Sequence, residues 1–386
     1  MSSLVANWSY PTSVRLGRGR VRELPEILRE FAIARPLVVT DTGLAPLPVT
    51  QAMLEVLTRA KIPYALFSGV RPNPVASGIE AGVSLFRAGG HDGVIAFGGG
   101  SALDSGKLIA FMAGQRLPVW EFEDIGDHWK RADAAGIAPV VAIPTTAGTG
   151  SEVGRAGVIT DEKTHTKKVI FHPGMMPKVA LLDPEVTAGM PAKVTAGTGM
   201  DALAHCLEAY CSPSYHPMAE GIAVEGMRLC FRYLPRVFAD GGDLEGRAQM
   251  LSAAAMGATA FQKGLGAIHS LSHPVGALYD THHGMTNAVF MPYVLVMNRP
   301  AIEEKIRRLA AYLELGTSFE SFLDAVLKLR QRLKVPETLA AFGVSGEQRE
   351  KIAEMALVDP TAGGNPLELT RERALEIFDA AIAGRI

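Results

Sequence analysis

Apolar and polar positions along this chain follow two different patterns. In the first half, short runs at 36–40, 64–68, 93–97, 140–144 and 178–182 are almost uniformly apolar and rich in β-branched residues. A strand with one wet face alternates, whereas a strand buried on both faces does not. These runs therefore predict a parallel sheet covered on both sides. The first three start 28 and 29 residues apart, which leaves room for a strand, a helix and two connections. Before them, 8–16 reads as a separate extended segment ending at the Gly17/Gly19 turn.

After about Pro184 the pattern changes. Ala-, Leu-, Met- and Glu-rich stretches with apolar residues at helical spacing predict helices at 217–231, 244–261, 302–311 and 318–333. Strand-like runs nearly vanish. The expected division is an α/β domain over 1–184 and an all-helical domain over 185–386. Length alone, at about 150 residues per domain, suggests two to three domains.

Composition narrows the possible partners. With 38 Lys+Arg against 40 Asp+Glu, the net charge is −2. That supplies no basic field for nucleic acid and no polybasic anchor for anionic lipid. A chain that is 48% hydrophobic and 20% charged buries a large core and is not disordered. The longest charge-free stretches, 134–151 and 281–298, barely reach spanning length and are broken by Gly, Pro and polar residues. The N-terminus lacks a basic head followed by an apolar run. Cys206, Cys211 and Cys230 form no CxxC pair and no disulfide framework. A cytoplasmic protein is expected, with neither a nucleic-acid nor a membrane partner.

Glycine and histidine are unevenly placed. The tightest glycine clusters precede residue 151, and six of ten histidines fall between His205 and His283. In VIAFGGGSALDSGK (94–107) an apolar strand runs through a glycine turn into a helix start. Backbone N–H groups there can approach an anion, so the turn is a candidate pyrophosphate cradle, although a tight turn alone would use the same residues. Two familiar signatures fail on spacing. A P-loop is excluded because Gly100 to Gly106 encloses five residues and Leu108 follows Lys107; a GxGxxG reading meets Leu103 where its third glycine belongs. A second loop, IPTTAGTGSEV (143–153), offers hydroxyls and glycine N–H groups after another apolar strand. Two such loops at strand ends favour a shared ligand. Asp41, closing VVTD, stands where a carboxylate takes ribose hydroxyls, or else simply forms the DTG turn.

Asp201 and His205 in GMDALAHCLEAY are spaced i, i+4 on a predicted helix and share one face. His269 and His273 repeat the spacing, and His283 follows His269 by fourteen residues. A carboxylate with several imidazoles suits a first-row divalent metal; Fe(II), Zn(II), Mn(II) and Co(II) all remain open, as does the choice between His282 and His283. Cys206 points to another helix face. His91, His128, His165, His172 and His216 read as ordinary loop or surface residues.

Together these segments resemble the iron-containing (group III) alcohol dehydrogenase family. The matching motifs are GGGSALDSGK, IPTTAGTGSEV, LLDPEVTAGMP, TGMDALAHCLEAY and AIHSLSHPVGALYDTHHGMTNAVFMPYV, in family order, and they extend from VVTD near 40 to NPLELT near 370. The resemblance implies the dehydroquinate synthase-like fold: an N-terminal Rossmann-like dinucleotide-binding domain and an all-α C-terminal domain, with the active site in the cleft between them. It assigns Asp201, His205, His269 and His283 as ligands of Fe(II), with Zn(II) or another divalent metal as alternatives. It sets His273 beside the nicotinamide as a candidate proton relay. Gly98, Gly99, Gly100, Ser101 and Asp104 match the pyrophosphate loop, Thr145, Thr146 and Thr149 the second cofactor loop, and Asp41, Asn73 and Lys167 further cofactor contacts.

The expected reaction is hydride transfer between a small alcohol and NAD(P), giving an aldehyde or ketone. NAD is preferred over NADP because a carboxylate at Asp41 repels a 2′-phosphate, with Arg71 as an opposing charge. Glycerol dehydrogenase-like polyol oxidation is one alternative. A dehydroquinate synthase-like lyase is another, but it needs basic residues near the metal, and 201–210 and 264–287 contain no Lys or Arg. The family resemblance also implies a homodimer or higher homo-oligomer.

Overall fold

The computed structural model describes residues 10, 12–163 and 166–386. They form two compact units, Tyr10–Met190 and Pro191–Ile386.

The first unit is an α/β layer structure. Its strands are β1 (Ser13–Leu16), β2 (Pro36–Asp41), β3 (Ala65–Val70), β4 (Gly93–Gly98), β5 (Val140–Pro144), β6 (Ala156–Asp161), β7 (Thr166–Phe171) and β8 (Val179–Leu182). Six of them make one sheet in the order β1-β8-β5-β4-β2-β3, and every pairing in it is parallel. The helices are α1 (Leu24–Glu30), α2 (Pro48–Arg59), α3 (Ala76–Ala88) and α4 (Gly100–Met112).

The uniform apolarity of the strand runs has a direct cause here. Leu37, Val39, Val94, Ala96, Val140 and Ala142 enter one core, which includes Ile79, Val83, Leu108 and Phe111 from α3 and α4. The intervening Val38, Ile95, Phe97, Val141 and Ile143 enter a second core with Leu24, Ile27, Met53 and Leu57 from α1 and α2. Successive side chains of a strand point to opposite faces, and in β2, β4 and β5 both faces are dry. The run at 64–68, expected to be buried in the same way, forms the edge strand β3, in which only Val70 is fully buried.

Two features depart from the sequence pattern. β6 and β7 form an antiparallel hairpin that the apolar-run criterion did not single out, because β6 buries alternate residues only. It packs against α4: a Cβ on Gly157 would lie 2.7 Å from Leu108 Cγ. Of the extended segment expected at 8–16, Trp8, Ser9 and Pro11 lie outside the described residues, and Ser13–Leu16 pairs with β8.

Helices make up the second unit: α5 (Ala192–Cys211), α6 (Pro217–Ala239), α7 (Leu244–Ala260), α8 (Ala267–Tyr279), α9 (His283–Tyr312), α10 (Phe319–Arg332), α11 (Arg349–Leu357) and α12 (Arg371–Ala383). The helix expected at 302–311 is the end of the 30-residue α9, which runs through Pro292 and Pro300. Burial of 284–295 against its neighbours overrides a local signal that reads as a break. No helix among the described residues is long and apolar enough to cross a membrane.

Candidate metal centre and cofactor loops

In the helical unit, α5 carries Asp201, His205 and Glu208, α8 carries His269 and His273, and α9 begins at His283. Glycines allow the backbones to meet. A Cβ on Gly284 would lie 2.1 Å from the Gly197 carbonyl oxygen, so only glycine lets the start of α9 approach α5 this closely. His282 caps α9, its Nδ1 accepting from the Met285 N–H at 3.4 Å, while His283 turns toward Asp201.

Asp201 Oδ1 lies 3.8 Å from His205 Nε2, 3.7 Å from His269 Nε2 and 3.5 Å from His283 Nε2. Ligand atoms of Asp201, His205 and His269 all fall within 4.8 Å of one another, and all three residues are buried. The side chain of His283 is 29% exposed.

Hydrogen bonds orient these groups. His269 Nδ1 is 2.6 Å from Glu208 Oε2, and Glu208 Oε1 accepts from the Ile268 N–H at 2.7 Å. An ionised carboxylate only accepts, so Nδ1 carries a proton and Nε2 is the ring atom left facing Asp201. Asn287 donates through Nδ2 to Asp201 Oδ1 at 2.8 Å, and the same nitrogen is 3.2 Å from Nε2 of both His269 and His283. The Ser272 hydroxyl donates to Asn287 Oδ1 and fixes the amide's orientation.

The electrostatics fit a bound cation. Burial alone would lower the His269 imidazole, but Glu208 and Asp201 outweigh it and push it up to about 9. Burial would raise the Asp201 carboxyl, yet His205, His283 and His269 hold it well below the usual range. Two buried carboxylates thus attract positive charge among imidazoles whose Nε2 atoms converge. A nitrogen/oxygen donor set of this kind accommodates a divalent first-row metal.

His273 stacks on His283, with centroids 5.3 Å apart and planes 17° from parallel, and its Nδ1 lies 2.8 Å from Asp359 Oδ2. Cys206, Cys211 and Cys230 are buried free thiols. Burial pushes Cys206 and Cys211 up to about 12.

In the α/β unit the two glycine-bearing loops meet. Gly98 has φ 151°, and a Cβ there would lie 2.6 Å from Ala102 Cβ. Gly99 caps α4 with no side-chain hydrogen bond. On Gly100 a Cβ would strike Thr149 Cγ2 at 2.6 Å, and on Gly99 it would lie 3.4 Å from Thr146 Cγ2. Thr145 donates its N–H to the Gly98 carbonyl at 2.9 Å. Ser101 occupies the first turn of α4. Gly98, Gly99, Gly100 and Ser101 therefore lie beside Thr145, Thr146 and Thr149, at the carboxyl ends of β4 and β5.

Asp104 is used internally. Its oxygens accept from the Ser151 hydroxyl at 2.5 Å and the Val158 N–H at 3.0 Å. Lys107, fully buried, donates to the carbonyls of Ser151 at 3.0 Å and of Ala156. Lys107 thus ties α4 to the second loop and does not face a phosphate, which accords with the failed P-loop spacing. Glu152 in that loop is fully buried, and desolvation pushes it up to about 7 despite Lys107 nearby.

Asp41 accepts from the Leu44 N–H at 2.8 Å, while its Oδ2 lies 3.6 Å from where a Cβ on Gly98 would sit. It both forms its turn and faces the first loop. Asn73 adopts φ 52°. The neighbouring Pro74 carbonyl accepts from the Thr160 N–H at 2.7 Å, and Thr160 pairs with Lys167 across the hairpin. Hence Asn73 and Lys167 lie on joined segments.

Three residues of this architecture escaped the sequence reading. Glu208, on α5 with the ligand candidates, and Asn287, four residues after His283, had a helical-spacing signal; Asp359 had none. Three histidines read as loop or surface residues are buried with structural bonds. His91 Nδ1 is 3.0 Å from the Arg35 carbonyl, His172 accepts from Gly174, and His216 caps α6. His165 lies outside the described residues.

The parallel α/β unit thus carries a glycine-loop candidate site for an anionic cofactor, and the helical unit carries a carboxylate–imidazole cluster that could hold a divalent metal. Two family models match: "Iron-containing alcohol dehydrogenase" over residues 11–184 and "Fe-containing alcohol dehydrogenase family, C-terminal" over 195–382. The chain is 38% identical to a 4-hydroxybutyrate dehydrogenase of Cupriavidus necator, over 93% of this chain and 95% of that one. It is 32% identical to an NAD-dependent methanol dehydrogenase of Bacillus methanolicus, over 98% and 100%. The crystal structure of a 1,3-propanediol oxidoreductase superposes with a TM-score of 0.93 at 33% identity, over 98% of this chain and 100% of that one. The chain belongs to the iron-containing alcohol dehydrogenase family, and it is an oxidoreductase acting on a small-molecule alcohol.

Proposed function

We propose that this enzyme transfers hydride between a small alcohol and NAD, with Asp201, His205, His269 and His283 holding a divalent metal, Fe(II) in the first instance. The observation that carries the reading is the convergence of three imidazole Nε2 atoms on Asp201 Oδ1. A metal held there supplies Lewis acidity toward an alcohol or carbonyl oxygen.

The chain's own residues do the rest. Glu208 keeps the His269 lone pair directed at the cluster, and Asn287 restrains Asp201 from the opposite helix. His273 accepts the proton that the alcohol releases. In the α/β unit, Gly98, Gly99, Gly100 and Ser101 offer backbone N–H groups to pyrophosphate, Thr145, Thr146 and Thr149 line the same ligand, and Asn73 and Lys167 extend its contacts. Asp104 shapes the loop from within. Asp41 excludes a 2′-phosphate by like charge, which favours NAD over NADP; a relative whose name specifies NAD supports the same choice.

The lyase alternative gains no base from Lys263, which lies just outside the Lys- and Arg-free stretch in sequence. Lys263 donates to the carbonyls of Ala209 at 3.0 Å and Tyr210 at 3.3 Å and lies 3.2 Å from Glu220, so it is committed to the end of α5.

The deciding experiment is anaerobic metal analysis with NADH absorbance followed over a panel of alcohols, diols, glycerol and aldehydes, under NAD and NADP. Turnover that tracks metal content and prefers NAD is expected; turnover in metal-free protein sinks the proposal. Replacing Asp41 with Gly narrows the preference by about 10-fold, and an unchanged ratio removes Asp41 from this role. A homodimer or larger assembly is proposed from the family resemblance and is checked by light scattering.

A further inference from the structure

One hydrogen bond joins this site to a distant segment. His273 lies one turn after His269 on α8, and its Nδ1 meets Asp359 Oδ2 at 2.8 Å across a separation of 86 residues. The Asp359 side chain, just beyond α11, is 11% exposed. Its other oxygen accepts from the Thr361 N–H at 2.9 Å and the Thr361 hydroxyl at 2.6 Å. Burial alone would raise the Asp359 carboxyl, but His273 and Thr361 outweigh it and hold it below the usual range. An ionised carboxylate only accepts, so its imidazole partner must present Nδ1–H. The ring is also confined by its stack on His283.

We propose that Asp359 is a positioning residue: by accepting Nδ1–H it locks the ring and tautomer of His273, so that Nε2 carries the lone pair. The inference rests on the reading of His273 as proton acceptor. In the reaction so arranged, the carbinol hydrogen leaves as hydride to NAD⁺, the hydroxyl proton passes to Nε2, and a carbonyl and NADH result. Asp359 keeps its own charge and touches neither substrate nor cofactor.

The test compares Asp359→Asn, His273→Ala and the double variant, each loaded with Fe(II) and checked for metal content and thermal melting. An Asn amide either donates or accepts and so releases the tautomer without changing the shape. Expected for Asp359→Asn is a kcat lowered about 10- to 100-fold, KM for the alcohol within about 2-fold, and unchanged metal and melting; within the His273→Ala background it adds nothing. Independently of turnover, ¹⁵N-histidine spectra of the metal-free protein, with His273 assigned by its loss in His273→Ala, should show the Nδ1–H form in the wild type and a mixture in Asp359→Asn. A normal kcat in Asp359→Asn alongside an impaired His273→Ala overturns the positioning role and leaves His273 standing. A loss that persists in the His273→Ala background, or a wild-type Nε2–H spectrum, also overturns it. A fully active His273→Ala removes the His273 reading itself, and Asp359's role with it.

Discussion

The two units build their sites by opposite means. In the α/β unit the candidate cofactor site is mostly backbone: Gly98, Gly99 and Gly100 lack side chains, and Ala102 and Thr149 occupy the space a Cβ on Gly98 or Gly100 would need. In the helical unit the candidate metal site is all side chain, gathered from α5, α8 and α9. The first loses conformational entropy at its glycines; the second bears the cost of burying the charges of Asp201 and Glu208. The loops should therefore be sensitive to added atoms, and the metal centre to removed ones.

The sharpest way to break that contrast is His269→Ala. Metal should be lost and turnover should fall by at least about 1,000-fold, as for removal of a principal catalytic group. NADH binding, read by fluorescence, should survive because the candidate cofactor loops belong to the other unit. Loss of NADH binding to the same degree would falsify the separation of roles.

The next effect concerns stability. Glu152 has its folded pKa near 7, above its ordinary value of 4.5. Between those values the folded chain keeps a proton that the unfolded chain has released, so Glu152's contribution to stability falls as pH rises from 4.5 to 7 and is level above that. The full swing is about 3 kcal/mol. Urea melts of Glu152→Gln should lack this decline, and parallel wild-type and variant curves would contradict the burial argument.

Gly100→Val tests added atoms. Its Cβ would meet Thr149 Cγ2 at 2.6 Å, so KM for NAD should rise about 100-fold, as for overpacking of about 3 kcal/mol, while bound metal stays at the wild-type level. Metal loss in this variant would mean that the two sites are not independent. Glu208→Gln is the mildest of the four. It keeps the shape but weakens the orienting bond to His269, so metal affinity by competitive chelation should drop about 10- to 100-fold. Unchanged affinity would show that the Glu208 charge has no part in holding the cation.

Legibility in the sequence follows the same contrast. The runs around Val38, Ile95 and Val141 revealed a doubly covered sheet because every position in them is buried. GGGSALDSGK and IPTTAGTGSEV were legible because each loop is contiguous. Asp201/His205 and His269/His273 were legible as i, i+4 pairs on one helix face. The β6–β7 hairpin, in which only Gly157, Ile159 and Ile170 are fully buried, was not, nor was the passage of α9 through Pro292 and Pro300.

Sequence alone determined the two textures, the glycine turns and the helical spacing of the histidines, because each rests on neighbours within a few residues. Helical spacing left His282 and His283 open and the family resemblance chose His283; only tertiary structure decided that His282 caps a helix, that Lys107 is a buried tie, and that Asp359 meets His273. Those outcomes depend on which helices and loops come within hydrogen-bonding distance. Such distances are set by close approaches like that of Gly197 and Gly284, which no local pattern encodes.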